Sequence, residues 1–121
     1  MIRAPLAFSA ALILSSAPAL AADAVRGEQR FKSVCATCRS LDPAQKKLGP
    51  HLKGVVGRKS ASVEAANYSA SLKAANIVWN ETALDEFLAD PKKKVPGAAK
   101  LVKFGNAQDR ADIIAYLATV K

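Results

Sequence analysis

Cys35-Ala36-Thr37-Cys38 is the group of residues in this 121-residue chain with the most chemistry open to it, and Arg39 follows directly. Two thiols at this spacing can form a redox-active disulfide, supply half of a tetrahedral metal site, or make two thioether bonds to haem. Each use asks for different neighbours. Haem attachment asks for a histidine immediately after the second cysteine, to ligate the iron. Arg39 stands there instead, and a guanidinium stays protonated at physiological pH with no lone pair for a metal. A dithiol–disulfide protein would gain from Arg39, since a neighbouring cation favours thiolate. The usual setting for that chemistry is a βαβ fold, and no strand-like alternation persists in this chain. Zinc fails on ligand count, with two cysteines and the single distant His51 against the usual four ligands. No Ser–His–Asp or paired-carboxylate constellation is evident, so an enzyme is not expected.

Helix signals dominate the segments that must position the pair. The spacing predicts a first helix over 24–36, with Phe31, Val34 and Cys35 on one face and Gly27 one turn before Phe31. Residues 40–60 are punctuated by Pro43, Gly49, Pro50, Gly54 and Gly57 and read as a long loop. A short helix fits 69–75. Asn80 and Thr82 are candidate N-caps for a helix carrying Leu84, Phe87 and Leu88, which Pro91 should end. Residues 92–102, with Pro96-Gly97, read as a second irregular stretch. Asn106 should cap a last helix, with Asp109 at capping-box spacing and Asp112 near its positive end. Ile113, Ile114, Tyr116, Leu117 and Val120 give that helix a broad apolar face. The expected fold is all-α, a small domain of three to five short helices joined by long loops. Long Gly- and Pro-rich loops inside a compact domain point to a function or a bound group, and a large flat apolar cofactor at the centre would account for them.

Arg3, the apolar stretch Leu6 to Leu14, and Ala19-Leu20-Ala21 have the pattern of a secretory signal peptide. The expected division is residues 1–22 as a cleaved signal and 23–121 as the domain, with no stable membrane anchor after cleavage. Removing Arg3 leaves 17 basic and 10 acidic residues. That balance suits acidic protein partners through electrostatic steering. Nucleic acid is a poor reading for an exported chain with few aromatic residues to stack on bases.

Gly27-Glu28-Gln29-Arg30-Phe31 lies ahead of the cysteines, and Gly49-Pro50-His51-Leu52-Lys53-Gly54-Val55-Val56-Gly57-Arg58-Lys59 after them. Asn67-Tyr68-Ser69, Trp79, Leu88 to Gly97, and Arg110 to Leu117 follow. In this order and spacing the segments resemble class I c-type cytochromes, the small bacterial and mitochondrial electron carriers. The resemblance covers nearly all of the chain after residue 22. It implies a cytochrome-c-like fold, a haem c cofactor and a monomer that docks acidic redox partners, and the signal peptide places that monomer in the periplasm. It makes Cys35 and Cys38 the thioether positions. Pro50 would offer its carbonyl to the proximal histidine. Arg58, Tyr68 and Trp79 match positions that bind or shield a haem propionate. Gly27, Phe31 and Tyr116 match the packing of the first helix on the last. Lys92, Lys93, Lys94 and Lys100 could form a basic docking face.

Two departures bear on function. Arg39 occupies the proximal ligand position, where it is not expected to ligate. Lys100 occupies the distal position, three residues after Gly97, where the family has methionine, and the only methionine here is Met1. A neutral lysine can bind ferric iron, but with an ordinary pKa of about 10.4 it must first lose a proton. His51, the only histidine, fits an ordinary loop residue better than a ligand. Arg39 is expected to swing to solvent or towards a propionate, because a buried cation without a partner is costly. The reading is a cytochrome-c-like exported protein in which normal haem ligation and electron transfer are lost or strongly impaired. The alternatives are a periplasmic carrier ligated by Lys100 and, behind it, a dithiol–disulfide protein using Cys35 and Cys38.

Overall fold

The chain builds five short α-helices, which the computed structural model describes within residues 2–12, 21–63, 66, 68–98 and 102–121. They are α1 (Ala24–Arg30), α2 (Ala70–Ala74), α3 (Glu81–Ala89), α4 (Pro91–Lys94) and α5 (Ala107–Ala118). Among the described residues there is no β-strand, only an isolated antiparallel bridge between Lys59 and Val78. Residues 2–12 are non-helical and exposed.

Local chemistry explains where the helices begin. Asp23 caps α1 by accepting the amides of Val25 and Arg26, Ser69 caps α2 through Leu72, and Asn80 caps α3 through Ala83. Of the two candidate caps for α3, Asn80 does the work and Thr82 lies inside the helix. Asn106 caps α5 by accepting the amides of Gln108 and Asp109. The reciprocal half of a capping box does not form there, because the Asp109 carboxylate turns to Arg30 at 3.4 Å.

Two expectations are corrected. Pro91 does not merely end α3. It is the first residue of α4, a one-turn helix that the Asp90 side chain caps through Lys93, and proline at N1 needs no amide donor. The first helix is not α-helical throughout 24–36. Phe31–Cys35 forms a π-turn, closed by the Ala36 amide donating to the Phe31 carbonyl at 2.9 Å. Such a turn inserts one residue and is frequent at functional sites; here it advances the register just before the cysteine pair.

The helices pack α1 on α5 and α3 on both α4 and α5. Gly27 is what brings α1 onto α5: a Cβ there would lie 1.8 Å from the Asp112 carbonyl oxygen. One turn on, the Phe31 and Tyr116 rings meet at 5.7 Å. Asp112 is almost fully buried and accepts the Asp23 backbone amide at 2.8 Å, fastening the start of α1 to α5. The apolar face of α5 supplies Ile113, Ile114 and Leu117 to a core shared with Phe31, Val55, Trp79, Leu84 and Val95. Burying each such side chain stabilises the fold by roughly 1.5–3 kcal/mol. The long loops are held by backbone bonds: Gly54 to Val120, Gly57 to Trp79, Trp79 to Arg58 and Ser60 to Ile77, all at 2.7–2.8 Å.

Candidate functional site

The first helix delivers Cys35 to the edge of a cavity of about 300 Å³. A turn then reverses the chain, with the amides of Cys38 and Arg39 both donating to the Cys35 carbonyl, at 3.2 and 3.0 Å. The loop after the turn runs back alongside it: Gly49 donates to the Cys38 carbonyl and Leu52 to the Ser40 carbonyl, each at 2.8 Å. Buried Ser40 stabilises this return by accepting the Asp42 amide. Cys35, Cys38, Arg39, Pro50 and Leu52 thereby become one wall of the cavity.

The expected pocket residues that fall among the described residues share that lining. Cys35, Cys38, Arg39, Pro50, Arg58, Tyr68 and Trp79 all face it. Cys35 and Cys38 are free thiols, half-buried. Arg58 reaches across the loop, donating Nη1 to the Lys53 carbonyl and Nη2 to the His51 carbonyl at 3.2 and 3.1 Å. The Tyr68 hydroxyl accepts the Val63 amide at 3.0 Å. Trp79 packs edge-on against Phe87 at 5.1 Å. The rest of the lining is apolar. Leu52, Val55, Phe87, Leu88, Phe104, Ile113 and Leu117 line it; the sequence marks all but Phe104 only as helix faces or loop residues, and Phe104 it does not single out at all.

Arg39 does not swing to solvent. It is half-buried, faces the cavity, and donates Nη1 to the Pro50 carbonyl at 3.1 Å. That is the carbonyl the resemblance assigns to the proximal histidine. Gly49 makes the inward position possible, because a Cβ on Gly49 would sit 2.5 Å from Arg39 Cζ and Nε. Burial lowers the Arg39 pKa from its ordinary value, partly offset by the nearby Tyr68 and cysteine groups. Burial likewise lowers that of Arg58. Both remain charged at neutral pH. Burial raises the Cys35 thiol, and the opposing pull of Arg39 is smaller. The thiolate expected beside Arg39 is therefore disfavoured at Cys35.

Lys100 lies outside the described residues, so its position relative to the cavity is not part of this geometry. Lys92 and Lys93 are exposed on α4, whereas Lys94 is drawn to Glu86 at 2.6 Å. His51 lies on the loop beyond Pro50, facing away into a second, solvent-open cleft with Lys46 and Lys47, and its buried Nδ1 has no partner. Among the described residues, no helix is long and apolar enough to cross a membrane.

A family model described as Cytochrome c matches residues 24–121. Cytochrome c2 of Rhodomicrobium vannielii is 45% identical over 113 residues, 91% of this chain and 89% of that protein. Cytochrome c of Gossypium barbadense is 44% identical over 98 residues, 78% of this chain and 87% of that protein. Among solved structures, cytochrome cH from Methylobacterium extorquens superposes with a TM-score of 0.73 at 38% identity, covering 80% of this chain and 98% of that one. The family model spans the segment that builds the cavity, from α1 to α5. The chain belongs to the cytochrome c family, as a class I c-type cytochrome, whose members carry single electrons on haem c.

Proposed function

We propose that this protein is an exported cytochrome-c-like protein that keeps the haem pocket of its family but in which normal axial ligation, and with it ordinary electron transfer, is lost or strongly impaired. The residues fit the macrocycle. An apolar cavity of about 300 Å³ with two thiols on its lining suits a flat apolar group joined through thioethers. They do not fit the iron on the proximal side, where Arg39 lines the wall and offers only N–H donors.

Bound haem supplies a one-electron iron couple whose potential and stability depend on its axial ligands. In this chain Cys35 and Cys38 would tether it. Arg58, Tyr68 and Trp79 would surround its polar edge, and the apolar lining would exclude water from its faces. The single observation that carries the proposal is the Arg39 guanidinium occupying the Pro50 carbonyl, the contact that should orient a histidine. The dithiol alternative draws less support, because burial raises the Cys35 thiol.

In this reading residues 1–22 are a cleaved signal, the domain begins at Asp23 and works in the periplasm, and the protein is a monomer rather than an enzyme. Any redox partners are acidic and dock on Lys92, Lys93, Lys94 and Lys100. Arg39 also removes the histidine of the attachment motif, so covalent loading is poor.

The test is an absorption spectrum and intact mass of the protein exported from a host with c-type maturation genes. The expected result is a mass that is mostly haem-free and no low-spin spectrum. Arg39→His combined with Lys100→Met should restore a low-spin, redox-active haem. A parent protein with full covalent haem and a low-spin spectrum would overturn the proposal in favour of ligation by Lys100.

A further inference from the structure

Three side chains with N–H or O–H donors left over meet on the cavity lining, and among the described residues no carboxylate answers them. Arg39 spends one of the five guanidinium N–H groups on Pro50. Arg58 spends two, on the His51 and Lys53 carbonyls. Tyr68 accepts the Val63 amide and so keeps its own O–H to donate. Among the described residues, no side chain on the lining carries a carboxylate, an amide or an aliphatic hydroxyl. Among the described residues, neither arginine has a carboxylate partner. Two half-buried cations that share a low-dielectric cavity repel each other, and the described residues offer neither a counter-charge.

The rest of the lining is apolar, with Leu52, Val55, Trp79, Phe87 and Ile113 facing the same space. A ligand that suits both parts has an apolar body and an anionic, acceptor-only end. A carboxylate matches the planar fork of a guanidinium. We propose that the cavity binds an apolar molecule through a carboxylate received by Arg39, and that it does so without iron. The substitution at residue 39 thus turns a metal-ligand position into an anion position. A tetrapyrrole propionate and a fatty acid share this chemistry. The inference rests on the reading of Arg39 as a residue that does not ligate iron.

Trp79 is the only tryptophan and lies on the lining, so its fluorescence reports occupancy. The iron-free full chain is titrated with dodecanoate, methyl dodecanoate, metal-free protoporphyrin and its dimethyl ester. At least one acid should give a saturable change, with the matching ester bound about ten-fold more weakly or worse, the scale of one lost charge-assisted bond. Arg39→Gln should bring the acid down to the level of its ester, and Arg39→Lys should recover part of the difference. A response to protoporphyrin alone identifies a tetrapyrrole site, to dodecanoate alone a fatty-acid site, and to both a general carboxylate site. Equal binding of acid and ester overturns the proposal. So does the absence of saturable binding by either acid, or unchanged affinity in a folded Arg39→Gln. Should Arg39→Gln lose its helical circular dichroism, the acid–ester comparison on the parent protein decides alone. Failure of the haem reading would show instead in the absorption spectrum, a separate readout.

Discussion

Arg39 and Gly49 act as a pair at the residue scale. The guanidinium lies where any larger residue at 49 would place its Cβ. Gly49→Ala should therefore displace Arg39, leave the Pro50 carbonyl without its donor, and cost about 1 kcal/mol. In the Arg39→Ala background the same change should cost measurably less, so a double-mutant cycle by urea unfolding should return a coupling of about 0.5–1 kcal/mol. Cys35 gives a second residue-scale expectation. Its thiol is raised by burial, and the raised group reaches thiolate only above the ordinary range near pH 8.5. In a Cys38→Ser variant, the iodoacetamide labelling rate of Cys35 should stay low at pH 7 and rise with a midpoint above that of a free thiol. A midpoint below it would revive the dithiol reading. The cysteine spacing and the missing histidine could be read directly, because both are matters of covalent order. The direction Arg39 takes could not, because it depends on a glycine that the chain brings back from position 49.

Element by element, the helices are set by signals within a few residues of their ends. Asn80 and Asn106 cap as their positions suggest, and Pro91 shows the weakness of the same reasoning. A proline after an apolar stretch can close one helix or open the next, and the Asp90 cap selects the second. The α1–α5 contact is stricter than any cap. Gly27→Ala would drive a methyl group against the backbone carbonyl of Asp112 and the Tyr116 Cβ, and a helix backbone has little room to yield. The two helices must separate, which should cost about 3 kcal/mol or more. A drop in urea midpoint with an unchanged slope would check it.

For the molecule as a whole, Asp112 links stability to pH. Its carboxyl is held below the ordinary value first by the Asp23 amide, then by Gln108, Arg26 and Arg30, which outweigh the opposing effect of burial. A folded-state pKa below the unfolded one means the carboxylate contributes its stability above the unfolded value of about 3.9. That contribution fades as pH falls through the folded value. Asp112→Asn should remove it, so the loss of thermal stability on acidification below about pH 4 should be shallower in the variant than in the parent. At neutral pH the variant should be the less stable of the two. Thermal melts from pH 7 to pH 3 would measure both arms.

By itself the amino-acid sequence determined the chemistry on offer: two thiols at haem-attachment spacing, no histidine after them, a helical periodicity, and the caps and glycines of a known family. Those features act through covalent order or through contacts within about four residues. The tertiary structure decided what the chemistry faces. Arg39 meets Pro50 eleven positions away, and Asp112 holds Asp23 eighty-nine positions away. Asp109 answers Arg30 rather than its own helix end. The balance between burial and charge at Cys35, and the gathering of Arg39, Arg58 and Tyr68 around one apolar space, are likewise consequences of chain return. Partners that distant are chosen by packing, which brings whole faces together at once. No local pattern specifies which side chain will then stand opposite which.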